Sequence, residues 1–134
     1  MQDFKKLRVW HLAHELSLTV IKALPHRRTG TIPGLRAQAI RAATSVPANL
    51  AEGCALATRP EFLHFIEIAL GSLNELEGHL LIGRDAGVID SLRHLEIQDD
   101  VDLVRRMMLS LMRTLQRHIA EDESRRLESV DRPR

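Results

Sequence analysis

Aromatic side chains are almost missing from this chain. Its 134 residues include three Phe, one Trp and no Tyr. Strands draw on aromatic and β-branched residues, so this scarcity points away from a β-sandwich and toward an aliphatic core between helices. Cysteine is nearly missing too. Cys54 stands alone, which excludes an internal disulfide framework and suits a reducing, cytoplasmic compartment. No apolar run reaches the roughly 20 residues that span a bilayer. Charged residues follow Met1 closely, so neither secretion nor membrane insertion is expected. Neither charge is in excess: 19 basic and 18 acidic residues leave a net +1, a small footprint for gripping nucleic acid by charge alone. What remains is 44% apolar and 28% charged, the balance of a soluble globular domain. A chain of this length fits one domain and buries a core without staples.

The apolar residues fall into four helical segments. The first is expected from Asp3 to Leu24, with Asp3 as N-cap and Leu24-Pro25 as the stop. Its apolar residues, from Leu7 through Trp10 and Leu18 to Leu24, are too many for one stripe, so the helix is expected to be buried on more than one face. After a loop over His26 to Ile32, Pro33 opens a second helix running to about Leu56. Pro47 lies inside it, removes one donor and leaves the Ala43 carbonyl without its usual partner. A bend is expected there, with Ser45, Asn49 or Glu52 hydrogen-bonding the freed backbone or a facing helix; a ligand or partner site at the bend is the alternative.

Thr58-Arg59-Pro60-Glu61 reads as a capping box for a third helix from Arg59 to about Asp85, stopped by Gly87. Phe62, Phe65, Ala69, Leu73, Leu76 and Leu80 form its main stripe. Leu63, Leu70 and Leu81 form a second, and Gly71 and Gly78 near the back suggest another backbone at close range. These five residues are the expected oligomer interface. Asp90 or Ser91 caps a fourth helix reaching about Ser124, with a seam of Ile97, Val101, Val104, Met108, Leu111 and Leu115. Residues 1–124 thus make one antiparallel up-down four-helix bundle, all-α with a proline-bent second helix, and 125–134 a frayed charged tail.

No set of chemistry-bearing residues is complete. Glu61 and His64 have the spacing of a di-iron bundle ligand pair, but such a site needs two of these motifs and two more Glu residues. Glu61 is already explained as a cap. His11, His14 and Glu15 share a helix side without a third strong ligand. Cys54 has no catalytic partner at a recognisable spacing. Arg106, Arg113 and Arg117 lie opposite the helix 4 seam, where a solvated face favoured by the helix dipole is the simplest account. Arg27, Arg28, Arg36 and Arg41 form the better candidate for a phosphate-facing cluster, with Lys5, Lys6 and Arg8 as possible additions.

The order Gln38, Arg41, Ala43, Ser45, Pro47, Asn49, Ala51, Glu52, Gly53, then Glu61, Phe62, Phe65, Ala69, Gly71, Ser72, Leu73, Glu75, Leu76, Glu77, resembles the bacterial 23S rRNA intervening-sequence proteins. Accessory proteins of diversity-generating retroelements are more distant relatives. The likeness runs from Phe4 to Val88 and includes Leu7-Arg8-Val9-Trp10; its specific part is Ser45 to Gly53. It departs at Ile40, where the family often has a second Arg, and at Cys54-Ala55-Leu56, where an aromatic-Gly-Arg segment is common. The resemblance implies a homopentameric four-helix bundle, a non-enzymatic scaffold whose partner is RNA or an RNA-handling protein such as a reverse transcriptase. No cofactor is implied. A metal-binding or enzymatic bundle is the competing class.

Overall fold

The computed structural model describes residues 2–26, 32–56 and 58–133. One 3-10 turn, Phe4–Lys6, precedes four helices: α1 Arg8–Ala23, α2 Leu35–Cys54, α3 Arg59–Asp85 and α4 Ser91–Val130. The described residues contain no strand. Each helix packs on the next, and α1 also meets α4, which closes the bundle. No described helix is long and apolar enough to cross a membrane.

The helix ends show which local signals prevailed. Asp3 does cap, but it caps the 3-10 turn: its carboxylate accepts from the Lys5 amide at 3.0 Å. Extended Leu7 then separates that turn from α1, so helix 1 starts later than the sequence suggests. Pro33 is not in the first turn of α2. Gly34 follows it in the left-handed region at φ +80° and holds the N-cap position, so the helix starts at Leu35. The bounds of α3 match the expectation. The Thr58 hydroxyl accepts from the Glu61 amide at 3.3 Å, and Gly87 turns the chain beyond the far end at φ +76°. Asp90, rather than Ser91, caps α4 by accepting from the Leu92 and Arg93 amides.

α4 does not stop near Ser124. It continues to Val130, so most of the segment assigned to a frayed tail is helical, with residues 125–130 all exposed. At 1.5 Å per residue the helix is about 60 Å long. It reaches past the start of α3, where Arg59 and Asp122 pair at 2.6 Å.

The core is aliphatic. Ile97, Val101, Val104, Met108 and Leu115 of the α4 seam are buried, and Leu111 is half-buried. The main stripe of α3 is as expected with one exchange: Ile66 is fully buried and Phe65 only half-buried. Ile66, Leu73 and Leu80 lie seven apart, a spacing that drifts only about 20° around a helix, and this line faces the centre. Burying each such side chain stabilises the fold by about 1.5–3 kcal/mol.

Candidate functional site

Pro47 is buried within α2, and the carbonyl it frees is satisfied from another helix. The Ser17 hydroxyl of α1 lies 3.0 Å from the Ala43 oxygen and 3.0 Å from the Ala13 oxygen, sharing one proton between them. None of the three expected residues reaches that carbonyl, but Ser45 meets the other half of the expectation, a bond to a facing helix, and Asn49 braces it. The Asn49 amide donates to the Ser45 carbonyl at 2.8 Å and to its hydroxyl at 3.0 Å, and that hydroxyl meets the Ser72 hydroxyl at 2.9 Å. Glu52 is exposed, and its side chain forms no hydrogen bond among the described residues. Ser17 was legible as the lone hydroxyl on the Val9, Ala13, Leu16 and Val20 face of α1, but only the fold shows it opposite Pro47.

Of the arginine cluster, Arg36 and Arg41 lie among the described residues, and they take different partners. Arg27 and Arg28 lie outside the described residues. Arg36 folds back on the end of α1: its guanidinium donates to the Ile21 and Leu24 carbonyls, each at 3.3 Å, and to His26 Nε2 at 3.2 Å. It satisfies carbonyls that a helix end leaves open. Arg41, about 140° round α2 from Arg36 at 100° per residue, pairs with Glu75 of α3 at 2.8 Å and with Gln38 at 2.9 Å. A second polar contact, absent from the sequence reading, joins α3 to α4. Arg105 donates to Glu77, Asn74 and Asp102, and Gln98 donates to Glu77 and Asp102. Its signal was the Gln98, Asp102, Arg105 spacing, which places all three on one helix side.

The candidate ligand residues also separate. His14 stacks on Trp10 with ring centres 5.0 Å apart, while the His11 ring bonds the Lys5 carbonyl. His64 packs edge-on against Phe65, and both Glu61 and His64 are exposed. Among the described residues no three His, Cys, Asp or Glu side chains converge. Cys54 is buried; desolvation, and secondarily the Asp3 carboxylate, push its thiol above the ordinary range. That environment disfavours the reactive thiolate. On α4, desolvation and then Asp99 hold the Asp100 carboxyl above its usual value; Arg93 opposes this and Glu15 of α1 adds to it.

Two apolar surfaces remain open. A groove of about 330 Å³ lies between α1 and α2, walled by Phe4, Trp10, Leu18, Pro47 and Ala48. The outer side of α3 carries Ile68 and Ile82, 40% and 52% exposed. Beside them, a Cβ on Gly71 or Gly78 would meet nothing within 4 Å. No backbone of another described element comes close there. Leu63 and Leu70 pack on the chain's own core, and Leu81 is 36% exposed. Close approaches fall instead at Gly53, where a Cβ would lie 2.7 Å from Phe62 Cδ2 and 3.1 Å from Phe65 Cβ, and at Gly83, 2.7 Å from Ile89 Cδ1.

Comparison with known proteins agrees with this architecture. No curated protein matches the chain. A solved structure of a protein of unknown function, from the S23 ribosomal protein family of Bacteroides thetaiotaomicron VPI-5482, superposes with a TM-score of 0.71. It is 22% identical and covers 78% of this chain and 97% of its own, a likeness of fold. The model of the 23S rRNA-intervening sequence proteins matches residues 5–110, most of the bundle, and the chain belongs to that family.

Proposed function

We propose that this protein is a non-enzymatic scaffold or accessory module that assembles with copies of itself and associates with RNA, or with an RNA-handling protein of the reverse-transcriptase kind. The observation that carries this reading is the pair of unlike apolar surfaces. The α1–α2 groove is concave, and the outer side of α3 is relieved by Gly71 and Gly78. Ring assembly joins two different patches of the same chain, head to tail, and these two are suited to one another. The number five comes from the family resemblance, and the RNA association from the family's name. The lone buried Cys54 is in keeping with a cytoplasmic setting.

Light scattering at tens of micromolar tests the assembly. Wild type should have about five times the 15.2 kDa mass of the chain. Gly71→Arg with Gly78→Arg should leave a helical monomer, because both positions face open space within the chain and a neighbour's backbone could no longer approach. Leu70→Arg is a poorer probe, since Leu70 packs on the core. A monomeric wild type ends the reading, as does a double variant that assembles like wild type.

A further inference from the structure

The outer face of α4 carries positive charge that the fold does not use. Between Asp102 and Glu121 the sequence has no acidic residue. Arg105 in this stretch turns to Glu77 and Asp102. Arg106, Arg113 and Arg117 do not turn inward. All three are exposed, and none pairs with a carboxylate among the described residues. At 100° per residue they fall within about 40° of one another, and at 1.5 Å per residue they stand about 10 Å and 6 Å apart along the axis.

The helix dipole does not explain them. Its effect fades within the last turn, and because α4 runs on to Val130, Arg117 sits more than three turns from the end. Arg113 and Arg117, four apart, repel each other. The row forms no ion pair among the described residues that would hold its guanidinium groups in place.

We infer that this row binds the phosphodiester backbone of duplex RNA, a surface that rests on the RNA reading above and gives it an address. Guanidinium groups match phosphate oxygens in charge and in fork geometry, and a straight row fits a repeating polyanion. α4 contains no Phe, Tyr or Trp, so it offers no platform on which unpaired bases stack. Duplex RNA is recognised through its backbone and 2′-hydroxyls and needs none. The row also stays accessible in a ring built through the α1–α2 groove, because no α4 residue lines that groove and all three arginines are exposed.

The test is fluorescence anisotropy with a labelled 20-base-pair RNA hairpin and a single-stranded RNA of equal length, at 50 and 200 mM salt, on the full chain. Three proteins are compared: wild type, the triple variant Arg106→Gln, Arg113→Gln, Arg117→Gln, and a control, Lys22→Gln, Arg84→Gln, Arg132→Gln, that loses the same charge outside α4. Circular dichroism should show all three equally helical, since every altered side chain is exposed. The α4 variant should bind the hairpin at least about tenfold more weakly at 50 mM salt, and the slope of log K against log salt should fall by about 2–3. The control should stay within about threefold of wild type. If wild type binds neither RNA at 50 mM salt, the RNA reading itself fails and this surface with it. If wild type binds but both variants match it, or weaken equally, the assignment to α4 alone is wrong. Binding confined to the single strand, or displacement by polyglutamate as readily as by unlabelled hairpin, also overturns it, the latter in favour of an acidic protein partner.

Discussion

Ser17→Ala should destabilise this bundle through a carbonyl on a different helix. The substitution removes the one proton donor that serves the Ala43 oxygen. The Ala13 oxygen loses little, because the Ser17 amide still bonds it within α1. Ala43 is 1% exposed, so water does not replace the hydroxyl. A buried acceptor left without a partner costs about 1–3 kcal/mol. Exchanging Ser for Ala returns about 0.5 kcal/mol of helix propensity. The net loss should be about 1–2 kcal/mol, read in urea melts at constant m, with a fall in Tm of about 3–8 °C.

The second arm of the experiment isolates the cause. Pro47→Ala restores an amide N–H that can bond the Ala43 carbonyl in the ordinary i to i−4 manner. In that background Ser17→Ala should cost no more than about 0.3 kcal/mol, because the acceptor keeps a partner. The difference between the two Ser17→Ala losses is the coupling energy, expected at about 1–2 kcal/mol. Equal losses in both backgrounds would show that Ser17 stabilises by packing, and would refute the account of how this helix tolerates its proline.

Gly53→Ala should destabilise by about 1–3 kcal/mol: the new Cβ meets Phe62 Cδ2 at 2.7 Å and Phe65 Cβ at 3.1 Å, and the latter is fixed to the α3 backbone. A loss below about 0.5 kcal/mol in urea melts would mean that α2 and α3 part more easily than this packing implies. Asp100→Asn should raise Tm at pH 7, and the gain should vanish near pH 3. The folded carboxyl is held above its ordinary 3.8, so it favours the folded state while protonated and loses that contribution as pH rises through the folded value. A gain that is the same at both pH values would place the effect outside titration.

The bundle was legible because its apolar spacing and stop signals agree. The Ile97 to Leu115 seam, Thr58 and Gly87 each specify local geometry, and the structure follows them. The end of α4 was not legible: the segment after Ser124 is charged and unburied, yet Arg, Glu and Leu sustain helix well without burial. The polar contacts were harder to see. Pro47 announced an orphan carbonyl, yet its partner Ser17 is 26 residues away from Ala43, and no spacing rule reaches that far. Arg36 and Arg41 read as neighbours in a list, but five residues turn them to opposite tasks, one closing α1 and one meeting Glu75. A Cβ on Gly71 or Gly78 would meet no described atom of another element, whereas Gly53 makes room for Phe62 and Phe65 and Gly83 for Ile89.

One cause underlies both the internal hydrogen bond and the external groove. The α2 surface toward α1 is built from small residues, with Ala39, Ala42 and Ala43 buried and Thr44, Ala48 and Ala51 along the groove. Small side chains let helix backbones approach closely, which is what allows a short Ser17 hydroxyl to reach across to Ala43. On the outer flank the same small side chains cannot fill the space beneath Trp10 and Leu18, and the groove is what they leave open. Filling it from within, by Ala48→Leu, would restore buried area inside the chain and remove the concave half of the proposed contact. Assembly should then weaken while the bundle keeps its stability. The basic row on α4 is exposed and lies outside the lining of the groove, so RNA binding by each protomer should survive that change. Affinity should fall only by the avidity that a ring adds, because linked sites bind more tightly than separate ones without any new contact.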